Sequence, residues 1–167
     1  MSFTLLDPIS ITTTNLAGQW DSANTSSLTP DFTIKSEYVR DRTSQQVIFY
    51  LTERGITEVA RGAYKDWEDL LTIEVRVKDN TNDTIFNQMV QEVLRIIGEL
   101  RLSPGGGYDY WTYTDLRDES HRGNNWYRAI IRTTMTAYGR EVATRTINGG
   151  GAEANVGEYY DGGDANG

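Results

Sequence analysis

The clearest regularity along the chain is a period of two. Leu71, Ile73, Val75 and Val77 alternate with Thr72, Glu74, Arg76 and Lys78. Successive side chains of a strand point to opposite faces, so this spacing predicts a half-buried strand with one wet, charged face. Further on the period lengthens: Phe86, Met89, Val90, Val93, Leu94, Ile97 and Leu100 recur, with Gln88, Gln91, Glu92, Arg95 and Glu99 on the outside. That is an amphipathic helix of about five turns, capped by Thr81 or Asn82 and stopped by Pro104-Gly105-Gly106-Gly107.

Other stretches read as strands. After Thr29-Pro30 an extended segment carries Phe32, Ile34 and Tyr38, and Gln45–Glu53 is rich in β-branched and aromatic residues. Gly55 and Gly62 punctuate the stretch between Glu53 and Tyr64. Tyr108–Thr114 and Trp126–Ala137 form a predicted hairpin with a long polar connection, Asp115–Asn125. In its second strand Tyr127, Ala129, Ile131, Thr133 and Met135 share one face and Trp126, Arg128, Ile130, Arg132 and Thr134 the other; neither face is purely apolar, so at least partial cover is expected on both. The expected class is α+β, with an antiparallel sheet of about four to six strands packed on one main helix.

Outside this region the pattern fades. Residues 1–30 are dense in Ser and Thr and read as an N-terminal arm, with a short helix around Thr14–Ala23 supported by Leu16 and Trp20 at i, i+4. Residues 149–167 form a Gly-rich acidic C-terminal tail that cannot bury enough surface to fold alone, so order there is expected from neighbouring subunits. Residues 31–148 are left as the core domain, and 167 residues suit one domain.

Charge sharpens this division. All Lys and Arg lie between residues 31 and 148, which are nearly balanced, whereas both ends are purely acidic and the chain totals −8. A net negative chain argues against strong duplex binding. Lysine occurs at Lys35, Lys65 and Lys78, the other bases being arginine. With abundant Thr and the acidic balance, this resembles proteins from high-salt cytoplasms, although compositional drift gives similar counts. Cysteine is absent, which excludes disulfides, thiolate metal sites and cysteine nucleophiles. No apolar run reaches the ~18 residues of a membrane span, and Met1–Ser10 lacks a signal-peptide pattern, so a soluble, unprocessed protein is expected.

Candidate chemistry is sparse. Asp115, Asp118, Glu119 and His121 join carboxylates to the single histidine and are the candidates for a divalent metal or acid–base site, as in a small metal-dependent hydrolase or nuclease. The same residues fit a solvated loop. The triple glycines at 105–107 and 149–151 lack the Lys-Ser/Thr of a phosphate loop and read as turn and hinge. Arg122, Arg128, Arg132, Arg140 and Arg145, interleaved with Trp126 and Tyr127, could touch nucleic acid, pair with Glu74 or Glu53, or meet another subunit. Tyr108, Tyr110, Trp111 and Tyr113 suit sheet packing or an interface. Trp20, Tyr110, Trp111, Arg128, Arg132, Tyr159 and Tyr160 are the expected subunit or partner contacts. No cofactor is expected.

The order of arm, two strands, LLTIEVRVKD, the helix TNDTIFNQMVQEVLRIIGEL, a Pro-Gly break and the late strand WYRAIIRTTMTA resembles the tail-terminator or tail-completion family in the neck of long-tailed viruses, over roughly residues 16–141. The resemblance implies a non-enzymatic virion protein forming a homo-oligomeric, commonly hexameric, ring that caps the tail tube and joins it to the head-side connector. DNA would pass through the lumen without specific binding, and an acidic wall suits such passage. With the high-salt composition, the implied source is a virus of a halophilic archaeon. The acidic tail departs from the family pattern, and a head–tail connector or minor tail protein shares the same expectations.

Overall fold

The computed structural model describes residues 6–34, 45–60, 64–78, 83–141, 147–149 and 152–154. Helix α1 (Pro8–Gln19) leads through a short 3-10 turn, Ser22–Thr25, into β1 (Asp31–Ile34). Next come β2 (Gln45–Ala60), β3 (Tyr64–Lys78), α2 (Thr84–Glu99), β4 (Tyr110–Asp118) and β5 (Trp126–Glu141). A separate small hairpin pairs β6 (Ile147–Gly149) with β7 (Ala152–Ala154).

The main sheet has the order β1-β2-β3-β5-β4. β1 runs parallel to β2, and the remaining neighbours are antiparallel, so the α+β class holds with a mixed sheet. The expected β4–β5 hairpin forms, and its Tyr127, Ala129, Ile131, Thr133 and Met135 face is buried throughout. β3 lies at the centre, bonded to β2 and β5 along its whole length. Its apolar face (Leu71, Ile73, Val75, Val77) meets Phe86, Met89, Val93, Ile96 and Ile97 of α2 in one core.

The other face of β3 differs from expectation. Thr72 and Glu74 are buried, as are Gln46 and Ile48 on the same side of β2. Central position explains part of this, because a strand flanked on both sides shields its neighbours' side chains. Gly55 also falls inside β2, opposite Glu68, instead of ending a strand.

Residues 6–30 are an integral layer of the fold, which corrects the reading of an arm. The helix starts at Pro8, earlier than Thr14, because Asp7 caps it: its carboxylate accepts the Ser10 N–H at 3.0 Å, and proline suits the first turn. Pro8, Thr12 and Leu16, four apart, form its buried stripe, and Leu16 is fully enclosed in the core. The glycine run after α2 makes this docking possible. Gly105, Gly106 and Gly107 all have positive φ, and a Cβ on Gly106 would lie 2.2 Å from the Ile11 side chain. Asn15 locks the approach by donating to the Pro104 carbonyl at 2.9 Å.

Candidate assembly surface

Strand length sets what the helices can cover. β2, β3 and β5 have 15 or 16 residues and extend about 50 Å at about 3.3 Å per residue. α2, with 16 residues, spans about 24 Å. The sheet therefore outruns its main helix. On the helix face Val47, Val75 and Ile131 are fully buried at the covered end, whereas Ile56 towards the far end is 50% exposed; at that end Tyr64 and Tyr138, 47% and 53% exposed, lie on the other face. Tyr110 meets Tyr138 edge-on there, with ring centroids 5.8 Å apart, an ordinary spacing for an aromatic pair.

Where the overhang leaves the core, a polar cluster seals the junction. Asp69, buried on the helix side of β3, receives Arg54 Nε at 2.6 Å and the Tyr108 hydroxyl. Arg54 also donates to the Leu6 carbonyl at 2.8 Å and lies 5.1 Å above the Trp67 ring. Burial and the Asp69 carboxylate push the Tyr108 hydroxyl far above its ordinary range, so it stays a donor.

On the opposite face Glu74 is the hub. Its fully buried carboxylate accepts from Arg76 at 2.6 Å, Arg128 at 2.9 Å and the Tyr50 hydroxyl at 3.1 Å. Burial alone would raise its pKa, but the two guanidiniums outweigh it and hold the carboxyl below the usual range. Arg128 reaches Glu119 as well, at 2.9 Å. The pairing of Arg128 with Glu74 is one of the roles open to the arginine stripe; Arg132 is left exposed.

The proposed metal or acid–base residues do not meet at one point. Asp115 turns to Arg117 at 2.8 Å, Asp118 to Arg122 at 2.5 Å and Glu119 to Arg128. His121 stacks on Trp126, their centroids 5.3 Å apart, beside an open recess formed with Lys78, Asn124 and Asn125. Among the described residues no group of three or more His, Asp or Glu side chains is arranged to hold a metal ion. Adjacency in sequence misleads here because β4 continues to Asp118, past the expected end at Thr114, and a strand sends neighbouring carboxylates to different sides.

The expected contact residues fare differently. Tyr110 and Arg132 are exposed. Trp111 is wholly buried, so its ring offers no outer surface, and Trp20 is engaged within the chain by Phe32 and by donation to the Leu28 carbonyl at 3.1 Å. Tyr159 and Tyr160 lie outside the described residues. Ile56, opposite Trp67, shares the helix face, and its exposure depends on where the helix layer stops; Tyr64, in step with Thr72 and Glu74, and Tyr138, packed on Tyr110, lie on the other face.

Among the described residues no helix is long and apolar enough to cross a membrane. No protein-family model matches the chain, and no curated protein matches its sequence.

Proposed function

We propose that this chain is a structural subunit that assembles with copies of itself into a ring, serving as a tail-terminator or tail-completion protein in the neck of a long-tailed virus. The observation that carries the assembly reading is the overhang. A sheet that outruns its main helix, with Ile56 half exposed on the helix face and Tyr64 and Tyr138 half exposed on the other, presents apolar surface on both faces that neighbours can bury. The sheet is also open, ending in β1 on one side and β4 on the other. Two unlike edges suit a heterologous, head-to-tail contact, which closes into a ring when the rotation per subunit permits.

The placement in a viral neck rests on the order and spacing of the elements. In this reading the ring caps the tail tube and meets the head-side connector, and DNA passes a wall whose negative charge disfavours phosphate binding. Virion is the corresponding location, and a hexamer the corresponding stoichiometry.

Electron microscopy and mass photometry of the purified chain test the reading. Closed rings that seat on the end of tail tubes are expected. A chain that stays monomeric at tens of micromolar and never associates with tubes would overturn it.

A further inference from the structure

A recess with a volume of about 410 Å³ opens at the end of the sheet where β3 finishes and β5 begins, lined by Lys78, His121, Asn124, Asn125 and Trp126. Two pairings build it. Lys78 lies directly across from Trp126, and His121 faces Trp126 from the other side through an isolated antiparallel bridge. Residues opposite one another on paired strands share a face, so an ammonium, an indole and an imidazole stand in one row. Between His121 and Trp126 the chain reverses through a 3-10 turn, Arg122–Asn124, and through Asn125, whose φ of 52° lies in the left-handed region that asparagine tolerates. The reversal sets two side-chain amides around the aromatic pair. His121, Asn124 and Asn125 are exposed, and their side chains make no hydrogen bond among the described residues. No acid among the described residues lines the recess, and the acids at the end of β4 are taken, Asp118 by Arg122 at 2.5 Å and Glu119 by Arg128 at 2.9 Å.

These groups select the chemistry of a ligand. The Lys78 ammonium, with no acid in the lining beside it, favours an anion. Side-chain amides both donate and accept, as hydroxyl groups do, so Asn124 and Asn125 suit neighbouring hydroxyls. The indole offers a flat apolar surface for the C–H side of a ring. His121 already stacks on that indole, with centroids 5.3 Å apart, so a nucleobase finds no pair of open aromatic faces to enter. The volume falls within the range of small-molecule sites, about 300–1,000 Å³. We propose that this recess binds a sugar acid, a pyranose ring carrying one carboxylate, with the carboxylate at Lys78, hydroxyls at Asn124 and Asn125 and the ring against Trp126. A free sugar acid and a uronate unit of a polysaccharide present these same groups. The recess lies at the opposite end of the sheet from Ile56, Tyr64 and Tyr138, so the proposal stands apart from the assembly reading.

The isotope-labelled full-length chain is titrated with sodium glucuronate, glucose and adenosine monophosphate, read by shifts of the indole and side-chain amide N–H signals in NMR. Trp126→Phe assigns the indole signal by its loss. Saturable shifts of that signal are expected at millimolar glucuronate, with glucose about tenfold weaker because it lacks the carboxylate, tenfold being the loss of one well-made contact. Lys78→Met should remove this preference and leave glucose binding unchanged. Asn125→Gly, which keeps the left-handed backbone, should weaken both sugars several-fold. Asn124→Ala, at an exposed position, repeats the test should either variant lose the native spectrum. A uronate oligosaccharide separates the sources: tighter binding than the monomer supports the proposal with a polysaccharide as ligand, and equal or weaker binding supports it with the free sugar acid. Absence of saturable glucuronate binding, equal binding of glucuronate and glucose, an unchanged preference in Lys78→Met, or tighter binding of adenosine monophosphate than of glucuronate each overturns the proposal.

Discussion

Replacing Glu92 by Gln tests whether a single buried carboxylate fastens residues 6–30 to the core. Glu92 sits on α2, its side chain 1% exposed. It accepts the backbone N–H of Asp21 at 2.8 Å, the amide of Asn24 at 2.8 Å and two nitrogens of Arg95 at 2.9 and 2.5 Å. Arg95 in turn donates to the Gln19 carbonyl at 2.8 Å, so both ends of the turn after α1 are held by this pair. These contacts, led by Arg95 and working against burial, bring the carboxyl from 4.5 to about 2. At about 1.36 kcal/mol per unit, the preference for the charged form is worth about 3 kcal/mol. Breaking a buried pair by removing one charge falls in the same range, about 3–5 kcal/mol. Glu92→Gln keeps the shape, so about 2–3 kcal/mol is expected, or a drop in the urea midpoint of about 1–1.5 M for a slope near 2 kcal/mol/M.

The pH dependence supplies the sharper check. A depressed carboxyl contributes its stability above the unfolded-state pKa and loses it as pH falls through the folded-state value. The gap between parent and Glu92→Gln should therefore be full at pH 7, begin to shrink near pH 5 and be nearly gone at pH 2. Urea unfolding at pH 7, 4 and 3 reads it directly. A cost below about 0.5 kcal/mol at pH 7, the scale of an ordinary surface substitution, would refute the reasoning. A larger cost that does not change with pH would show that packing, and not the charge, fastens the segment.

Three further outcomes are expected from the same structure. Glu74→Ala leaves Arg76 and Arg128 without their buried partner and should cost about 3–5 kcal/mol in chemical unfolding, with Glu74→Gln intermediate. Leu16→Ala should destabilise by about 2–5 kcal/mol because α1 belongs to the core, while Leu102→Ala, at 70% exposure, should change stability by less than about 0.5 kcal/mol; equal effects would return residues 6–30 to the status of an arm. Ile56→Glu combined with Tyr64→Glu should abolish assembly in mass photometry while leaving the thermal midpoint within a few degrees of the parent, and intact rings in the double variant would remove the overhang from the interface.

How much of this is legible in the sequence depends on the range of the interaction. The strand Leu71–Val77 and the helix from Phe86 can be read because their periods are local properties of side-chain direction. The hairpin of β4 and β5 can be read because its strands are neighbours in sequence. Sequence reasoning places the start of α1 several residues late although the start signal, Asp7-Pro8, stands in plain view, since the Ser and Thr that weaken helices draw more weight than the cap. Glu92 reads as outward-facing, one polar residue among others on an amphipathic helix. Its partners Asp21 and Asn24 lie 71 and 68 residues away, and no local window of sequence can announce them. The cluster at Asp115–His121 fails in the opposite way, because closeness along a strand is not closeness of function.

By itself, then, the sequence determined the α+β class, the face that β3 and the main helix turn to the core, and the concentration of negative charge in two base-free ends. The tertiary structure alone decided the strand order with its parallel edge, the docking of α1, the burial of Glu74 and Glu92, and the stretch of sheet left beyond the helices. The physical reason is that periodicity records which side of an element is apolar, whereas burial depends on what arrives from elsewhere in the chain. Charged groups show this most plainly: a carboxylate is stable inside only where distant arginines and backbone N–H groups converge on it, and convergence is a property of the fold.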